Sequence, residues 1–446
     1  MKKILIAAAL LALCTVLCAQ EENCFGIIAG KAVTTDGSVL FGHNEDDSGE
    51  QMLNINICPA DPGYGNVKFI WAEFPGMEIA DAYMNEYGVS IASDGCSSRE
   101  DREDLTDGGI LYNVRFDVGK YAKSARDAVR LIGQNVEKYG YRGSGRTYVV
   151  ADPEEGWIVS VVKGRHWVAQ RVPDDKVMTI PNYYTISRVD LSDTANFAGS
   201  ADLVDYAVER GWYNPEKDGE FNFRLAYSEP KYFATPGNVN RHRKVLEYIT
   251  DGKYDYDPFT VEFAVDPARK LDVQDLINAL SLHSDADSTL KHPVGVCTDV
   301  TIISTVFQLR NWLPRSVGCV MWACPGRPCS EAFVPWYLGM TKAPKGWARF
   351  ADWKEAEQKH FSDASDKRIN YPDGYYWKYT DRWDALSADY SSLIGARSSG
   401  IAKLQKKFFD AQRKFEARLL KMSDKRAARV MNRYTRRCNR AALKVK

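Results

Sequence analysis

The residues best placed for chemistry are Cys24 and the polar run HNEDD at positions 43–47. A cysteine that becomes the first residue of a chain carries both a thiol, with an ordinary pKa of about 8.5, and an α-amine, with one of about 7.7 to 8.0. The amine can accept the thiol proton directly or through one water, and the resulting thiolate can attack a carbonyl carbon. No separate histidine base is then required. From its position alone, Cys24 could equally be a structural or disulfide-bonded cysteine.

The residues that precede Cys24 have the layout of a secretory signal peptide. Lys2 and Lys3 are followed by a largely apolar run from Ile4 to Cys18 and then by a short polar stretch. This run is shorter than the roughly 20 residues that a spanning helix needs. We therefore expect residues 1–19 to be a signal peptide and residues 20–23 a short propeptide, with the mature protein exported to the periplasm or the medium.

A predicted β-hairpin brings Cys24 and the HNEDD run together. Its first strand opens at Cys24, a turn follows at residues 35–37, and the second strand begins at Val39 and leads into HNEDD. In this arrangement Asp46 could hydrogen-bond the α-amine, and His43 could place positive charge near the thiolate. The alternative interpretation of HNEDD is a solvated, acidic strand end.

The remaining pattern predicts an α+β protein with helices packed over antiparallel sheets rather than a βαβ dinucleotide fold. Alternating apolar residues and turn-forming dipeptides indicate strands, whereas apolar residues at three- and four-residue steps indicate helices. The predicted strands are Thr147–Ala151, Trp157–Val162 and His166–Val172, and the predicted helices are Tyr121–Tyr139 and Leu271–Leu282.

The net charge of zero gives no indication of a nucleic-acid partner but conceals an asymmetry. Residues 401–446 hold sixteen Lys or Arg against three Asp or Glu, a net of +13, so the rest of the chain carries −13. The apolar residues of this tail form one helical stripe: Ile401, Leu404, Phe408, Ala411, Phe415, Leu419 and Met422. We expect the stripe to dock on the acidic body. The less favoured alternative is contact of the basic helix with a membrane surface.

Seven cysteines remain besides those at 14, 18 and 24. Cys324 and Cys329 bracket a Pro-Gly turn, where a disulfide and two separate thiols are equally compatible with the sequence. A zinc site is not indicated, because neither a paired CxxC motif nor clustered histidines accompany them. A papain-like pair could be drawn between Cys297 and either His283 or His292, but no papain-type local sequence surrounds them.

Several segments together resemble one known family. CFGIIAGKAVTTDGSVLFGHNEDD, from Cys24, is similar to the opening of the cysteine-nucleophile dipeptidases of the N-terminal-nucleophile hydrolase superfamily. The resemblance extends through MNEYGVSIA, SARDAVRLIGQNVEKYG, YVVADPEEGWIVSVVKGRHWVAQRVPDD and the stretches at 297–314 and 318–337. It thus covers nearly the whole chain after residue 23.

The resemblance implies an αββα sandwich over residues 24–341, a C-terminal helical extension over 342–446, removal of the leader, and hydrolysis of dipeptides or related small amides without a metal or cofactor. It also implies site roles. Cys24 would be the nucleophile and Asp46 the partner of its amine, Asn182 would hold the substrate or oxyanion, and Arg241 would be a buried residue near the nucleophile.

One position departs from the family pattern, because His43 stands where an arginine usually precedes the acidic pair. Asn85 resembles an Asn of the family but is equally typical of a residue that caps a strand turn. Two other functions stay open: an acylase of the same superfamily that cleaves bile-salt or penicillin-type amides, and a non-catalytic protein that binds a surface through the basic helix.

Overall fold

A computed structural model describes most of the chain after residue 23. The described residues are 24–47, 52–75, 80–102, 109–111, 113–230, 235–283, 295–348, 352–362, 368–369 and 372–445. The predicted signal peptide, the predicted propeptide and His292 lie outside these ranges.

The described strands form two antiparallel sheets, one with six strands and one with eight. In chain order the strands are β1 (Phe25–Ala29), β2 (Val39–Asp46), β3 (Asn54–Cys58), β4 (Phe69–Glu73), β5 (Ala80–Asn85), β6 (Ser90–Gly95), β7 (Tyr141–Ala151), β8 (Gly156–Gly164), β9 (Trp167–Val172), β10 (Val177–Ile180), β11 (Phe197–Gly199), β12 (Thr301–Leu309), β13 (Cys319–Pro325) and β14 (Val334–Tyr337). The smaller sheet has the order β10-β1-β2-β12-β13-β14, and the larger one has the order β11-β9-β8-β7-β6-β5-β4-β3. The three strands predicted between residues 147 and 172 are therefore confirmed, as neighbours in the larger sheet.

The predicted hairpin is present, and its second strand is longer than the apolar pattern indicated. In the turn, the Asp36 carboxylate accepts a hydrogen bond from the Ser38 backbone N–H at 3.0 Å, and Gly37 has φ 82°, which suits glycine. Strand β2 continues to Asp46 because it pairs on both sides, with β1 and with β12. The HNED residues are thus part of a central, buried strand rather than a solvated strand end.

The described helices are α1 (Asn113–Tyr121), α2 (Ala125–Tyr139), α3 (Leu203–Glu209), α4 (Phe223–Tyr227), α5 (Pro236–Thr250), α6 (Val273–Leu280), α7 (Arg315–Gly318), α8 (Trp353–Ser362), α9 (Trp377–Ser387), α10 (Tyr390–Leu419) and α11 (Asp424–Ala442). The helix expected over 121–139 is shorter than expected, because Ser124 caps α2 by accepting a hydrogen bond from Asp127 N. A capping box of Asp272 and Asp275 likewise starts α6 just inside the predicted range.

The two sheets face each other, with helices against their outer surfaces. At the interface, a side chain added at Gly156 of β8 would meet Ile28 of β1 at 2.1 Å, so the two sheets approach closely there. Helices α1 and α2 contact the larger sheet, whereas α6 contacts β2 and β12 of the smaller one. The mixture of helices and antiparallel sheets confirms the predicted α+β class.

The C-terminal helices dock on the smaller sheet, as the apolar stripe predicted. Phe408 and Leu419 are buried in the main core, whereas Ala411 is exposed and Met422 follows the end of α10. The basic tail is therefore two helices rather than one. At this contact, Nη1 and Nη2 of Arg310 on the body side donate to the Glu416 carboxylate of the tail, at 2.7 and 2.6 Å. This ion pair runs opposite to the net charges, whereas Arg397 of α10 pairs with Glu331 of the body in the direction that those charges favour.

In the part of the chain that the structure describes, no helix combines the length and the apolar character needed to cross a membrane. The boundary between residues 341 and 342 stays a prediction.

Candidate active site

Cys24 lies at the start of β1, on the side of the smaller sheet that faces the larger one. Its thiol is within 3.7 Å of Glu45 Oε1 and within 3.8 Å of the carbonyl oxygen of Asp46. The side chain is only 3% exposed. This is the geometry of the uncut chain, in which residue 24 carries an amide nitrogen instead of an amine.

The surroundings of the thiol oppose its ionisation. Burial raises the pKa of Cys24 well above its usual value, and the carboxylates of Glu45, Asp94 and Asp46 raise that pKa further. A group that accepts the thiol proton is therefore needed before Cys24 can act as a nucleophile.

Asp46 lies on the helix side of β2, where two hydroxyl groups hold its carboxylate. Thr298 Oγ1 and Thr301 Oγ1 each donate a hydrogen bond of 2.6 Å, one to each oxygen. Burial raises the pKa of Asp46 to about 7, while the two hydroxyls and Arg241 act in the opposite direction. The carboxylate is thus fixed in orientation, and its ionisation is sensitive to a nearby positive charge.

Arg241 joins Cys24 to Asn182. From helix α5 its Nη1 donates to the Cys24 carbonyl oxygen at 3.1 Å, and its Nη2 donates to Asn182 Oδ1 at 2.8 Å. Asn182 has φ 62°, a left-handed conformation that is uncommon outside glycine, and its Nδ2 donates to Gly95 O at 3.2 Å. The structure therefore brings Cys24, Arg241 and Asn182, which are far apart in sequence, into one hydrogen-bonded network.

His43 is fully buried and does not point to solvent. Its Nε2 lies 2.6 Å from Asp94 Oδ1 on β6, so this pair bridges the two sheets. His43 and Glu45 lie on the same face of β2 as Cys24, because Gly26 pairs with His43 and side chains alternate along a strand. His43 contacts Asp94, and the Asp94 carboxylate in turn raises the pKa of Cys24, so His43 is linked to the thiol through Asp94.

Sequence reasoning missed four residues that surround the site. Glu45 contacts the thiol, Arg115 lies 3.6 Å from Glu45, and the two threonines at 298 and 301 hold Asp46. The two-residue period of β2 could have identified Glu45, since it alternates with Asp46 and must face the opposite side. Arg115, Thr298 and Thr301 come from distant elements, and no local pattern indicates them.

Asn85 caps a turn, which is one of the two roles that its sequence context allowed. Its side-chain oxygen accepts hydrogen bonds from the backbone of Tyr87 and of Val89, each at 3.1 Å.

The remaining cysteines bear on two pairings that the sequence raised, a disulfide between Cys324 and Cys329 and a Cys-His pair at Cys297. No disulfide joins any of the described cysteines, so Cys324 and Cys329 are not bridged in this structure. Cys329 instead approaches Cys297 and His283, and the potential ligand atoms of the three residues lie within 4.8 Å of one another. Cys297 and His283 are thus neighbours, whereas the thiol of Cys24 lies beside Glu45.

A family model supports the assignment that the sequence suggested. Residues 105–365, more than half of the chain, match the model of Peptidase family C69. The chain belongs to peptidase family C69. The matched range contains Asn182 and Arg241 but begins after Cys24, His43 and Asp46, so the assignment of the nucleophile depends on the geometry above.

Curated relatives cover most of the chain. It is 26% identical to a probable dipeptidase of Salmonella dublin over 361 residues, which span 71% of this chain and 81% of the relative. It is also 26% identical to dipeptidase A of Lactobacillus helveticus, over 74% of this chain and 78% of the relative. For a probable dipeptidase B of Streptococcus pyogenes serotype M1, the identity is 25% and the shares are 82% and 78%.

Among solved structures, penicillin V acylase from Agrobacterium tumefaciens is 14% identical, covers 68% of this chain and 82% of its own, and has a TM-score of 0.37. The Caenorhabditis elegans ortholog of N-acylethanolamine-hydrolysing acid amidase is 12% identical, covers 64% and 92%, and has a TM-score of 0.35.

Proposed function

We propose that this chain is an exported cysteine dipeptidase with an N-terminal-nucleophile mechanism, activated when residues 1–23 are removed and Cys24 becomes the first residue. The observation that carries the proposal is the network in which Arg241 binds both the Cys24 carbonyl and Asn182. Membership of a peptidase family and the names of the relatives support peptide bonds as the substrate.

The proposed fold is the αββα sandwich of N-terminal-nucleophile hydrolases. Two facing antiparallel sheets with helices on their outer surfaces, and a proposed nucleophile that directly precedes β1, support this assignment.

Cleavage before Cys24 supplies the base that the thiol needs. The new α-amine accepts the thiol proton, and the thiolate attacks the carbonyl carbon of the scissile bond. The ammonium that forms is stabilised by the Asp46 carboxylate, which two threonine hydroxyls hold in place. Because Glu45, Asp94 and burial all raise the thiol pKa, this ion pair offsets an otherwise unfavourable proton transfer.

The tetrahedral oxyanion then needs hydrogen-bond donors. Asn182 Nδ2 carries two hydrogens, of which one is directed at Gly95 O, so the other is available to the oxyanion. Arg241 fixes the orientation of the Asn182 amide by binding its oxygen. The α-ammonium returns its proton to the leaving amine, a thioester remains on Cys24, and water activated by the α-amine releases the acid.

Buried charges near the thiol suit a small substrate that carries charged ends. Glu45 and Asp94 place negative charge near the thiol. We propose that they attract the ammonium of a dipeptide in exchange for part of their contacts with Arg115 and His43, while Arg115 attracts its carboxylate. This complementarity favours dipeptides over the acyl amides that the related acylases cleave.

A substrate panel tests the proposal. Purified mature enzyme is assayed on mixed dipeptides, on the same dipeptides with an N-acetyl group, and on penicillin V and a bile-salt amide. We expect turnover of the dipeptides and a loss of at least about tenfold in kcat/KM on acetylation, since a buried carboxylate then loses its charged partner. Preferential cleavage of penicillin V or the bile-salt amide would replace the dipeptidase assignment with the acylase, and no turnover of any substrate would favour a binding protein.

A further inference from the structure

A second cluster of reactive side chains lies outside the nucleophile's network. A ring nitrogen of His283 and the sulfur atoms of Cys297 and Cys329 are all within 4.8 Å of one another. One imidazole and two thiols form a ligand set that selects Zn²⁺ and similar borderline-soft ions over Mg²⁺ or Ca²⁺.

We propose that His283, Cys297 and Cys329 bind one zinc ion. With Zn–S bonds of about 2.3 Å and Zn–N bonds of about 2.0 to 2.1 Å, tetrahedral ligand atoms lie about 3.5 to 3.8 Å apart. The distances in this cluster need to contract by at most about 1.0 to 1.3 Å to reach that geometry. Rotation about side-chain bonds is sufficient for such a change.

The backbone already fixes the three ligands relative to one another. His283 forms a β-bridge with Gly295, and Cys297 N donates to the Leu282 carbonyl at 3.1 Å. The segment that carries Cys329 is tied to the same region, because Arg327 Nε donates to Asp299 O at 2.9 Å. The site therefore does not require a long rearrangement of the chain.

The cluster also has an outer contact and an access route. Tyr390 of α10 directs its hydroxyl at Cys329 Sγ, at 3.7 Å. His283, Cys329 and Tyr390 line part of a surface cleft of about 370 Å³, through which an ion or water can reach the cluster. A solvent molecule can therefore supply the fourth ligand.

A zinc ion here would stabilise the loop whose Thr298 hydroxyl holds the Asp46 carboxylate, without taking part in the reaction at Cys24. Cys297 directly precedes Thr298, whose hydroxyl binds the Asp46 carboxylate, and the Val296 carbonyl accepts a hydrogen bond from Asn44 of β2 at 2.9 Å. The ion would join this loop to the segment after β13 and, through Tyr390, to the C-terminal helices. Removal of zinc is therefore expected to lower the melting temperature, while turnover at low temperature changes little.

The test measures metal in the full-length mature enzyme, purified under reducing conditions after growth with zinc. Wild type should retain about one zinc per chain after dialysis, and His283→Ala and Cys329→Ser should each retain about tenfold less. Cys324→Ser is the matched control, since Cys324 is a nearby buried cysteine in β13 that lies outside the cluster. Cobalt added in place of zinc should give thiolate-to-metal and tetrahedral d–d absorption bands in wild type and in the control, and not in Cys329→Ser.

A Cys24→Ala variant should bind the same amount of zinc, so the result does not depend on the proposed peptidase activity. Wild type that retains no zinc in the presence of reductant would overturn the proposal. A Cys297–Cys329 disulfide in protein isolated from its own compartment, detected by peptide mapping, would also overturn it.

Discussion

Cys24 and Cys297 are both buried cysteines close to Asp46, but their neighbours suit them to different tasks. Cys24 faces two carboxylates and a backbone carbonyl, and its own carbonyl is bound by Arg241. Cys297 faces another thiol and an imidazole. A search for a familiar Cys-His pair would select Cys297, although a second thiol beside it favours shared metal binding over nucleophilic attack.

The proposed mechanism at Cys24 needs no partner histidine, in contrast to a Cys-His pair of the papain type. Burial and acidic groups oppose ionisation of Cys24, so the proposed mechanism assigns its activation to the α-amine that cleavage before residue 24 would create. Under that proposal, the protonated amine is stabilised by Asp46.

The largest expected effect is the difference in kcat between Cys24→Ala and Cys297→Ala. Cys24→Ala should fold and lose at least about 10⁴-fold in kcat, because the covalent step is lost. Cys297→Ala should retain kcat within about tenfold at low temperature and lose thermal stability. Kinetics on one dipeptide, with circular dichroism as the folding control, measure both. Retained turnover in Cys24→Ala would reverse the roles assigned here.

Substitution of Asn182 tests whether its side chain is an oxyanion donor or has only a structural role. Asn182→Gly should keep the left-handed backbone at φ 62° and lower kcat by about 10² to 10³-fold with little change in KM, as expected for a lost oxyanion donor. Asn182→Ala should show the same kinetic loss and an additional destabilisation of about 1 kcal/mol from the backbone strain. If Asn182→Gly raises KM alone, the residue only positions the substrate.

In the uncut chain, Asp46 should make the free energy of unfolding depend on pH. Its pKa is raised from 3.8 to about 7, so the folded protein binds more protons than the unfolded chain between these values. The contribution of Asp46 to the free energy of unfolding therefore falls as the pH rises from about 4 to 7. Asp46→Asn should remove this part of the decline, measured as the difference between the two melting-temperature profiles.

In the mature enzyme, the α-ammonium is expected to lower the Asp46 pKa. The difference between the melting-temperature profiles of wild type and Asp46→Asn should then shrink. Identical profiles before and after cleavage would mean that the amine does not lie next to Asp46.

His43 is expected to have the smallest effect. His43→Gln keeps a donor close to the position of Nε2, so the contact with Asp94 can persist and kcat/KM should change by less than about threefold at the pH optimum. His43→Ala should instead destabilise the fold, because it leaves a cavity and a buried carboxylate. If His43→Gln lowers kcat/KM by more than about tenfold while the protein stays folded, His43 assists the reaction at Cys24 directly.

The sequence predicted the parts of the fold that depend on local periodicity. The opening hairpin, the strands β7 to β9 and the apolar stripe of the tail were all identifiable, because alternation and helical spacing are local properties. The break between α10 and α11 was missed because the apolar stripe continues through it to Met422.

For the site, the resemblance supplied the candidate residues, whereas their distant partners had no signal in the sequence. Arg241 and Asn182 are joined to Cys24 only through tertiary contacts, and their roles could be inferred only by likeness. Thr298, Arg115 and the approach of Cys329 to Cys297 depend on loops that meet in space, for which one sequence has no local signal.

The central claim is that the nucleophile and its base are parts of one residue. The most direct measurement is the intact mass and N-terminal sequence of purified, fully active enzyme, with the active fraction counted by titration with a thiol alkylator. We predict that every active chain begins at Cys24 and carries one alkyl group there when activity is lost. Full activity in chains that still carry residues 20–23 would contradict the account, because their Cys24 nitrogen is an amide and cannot accept the thiol proton.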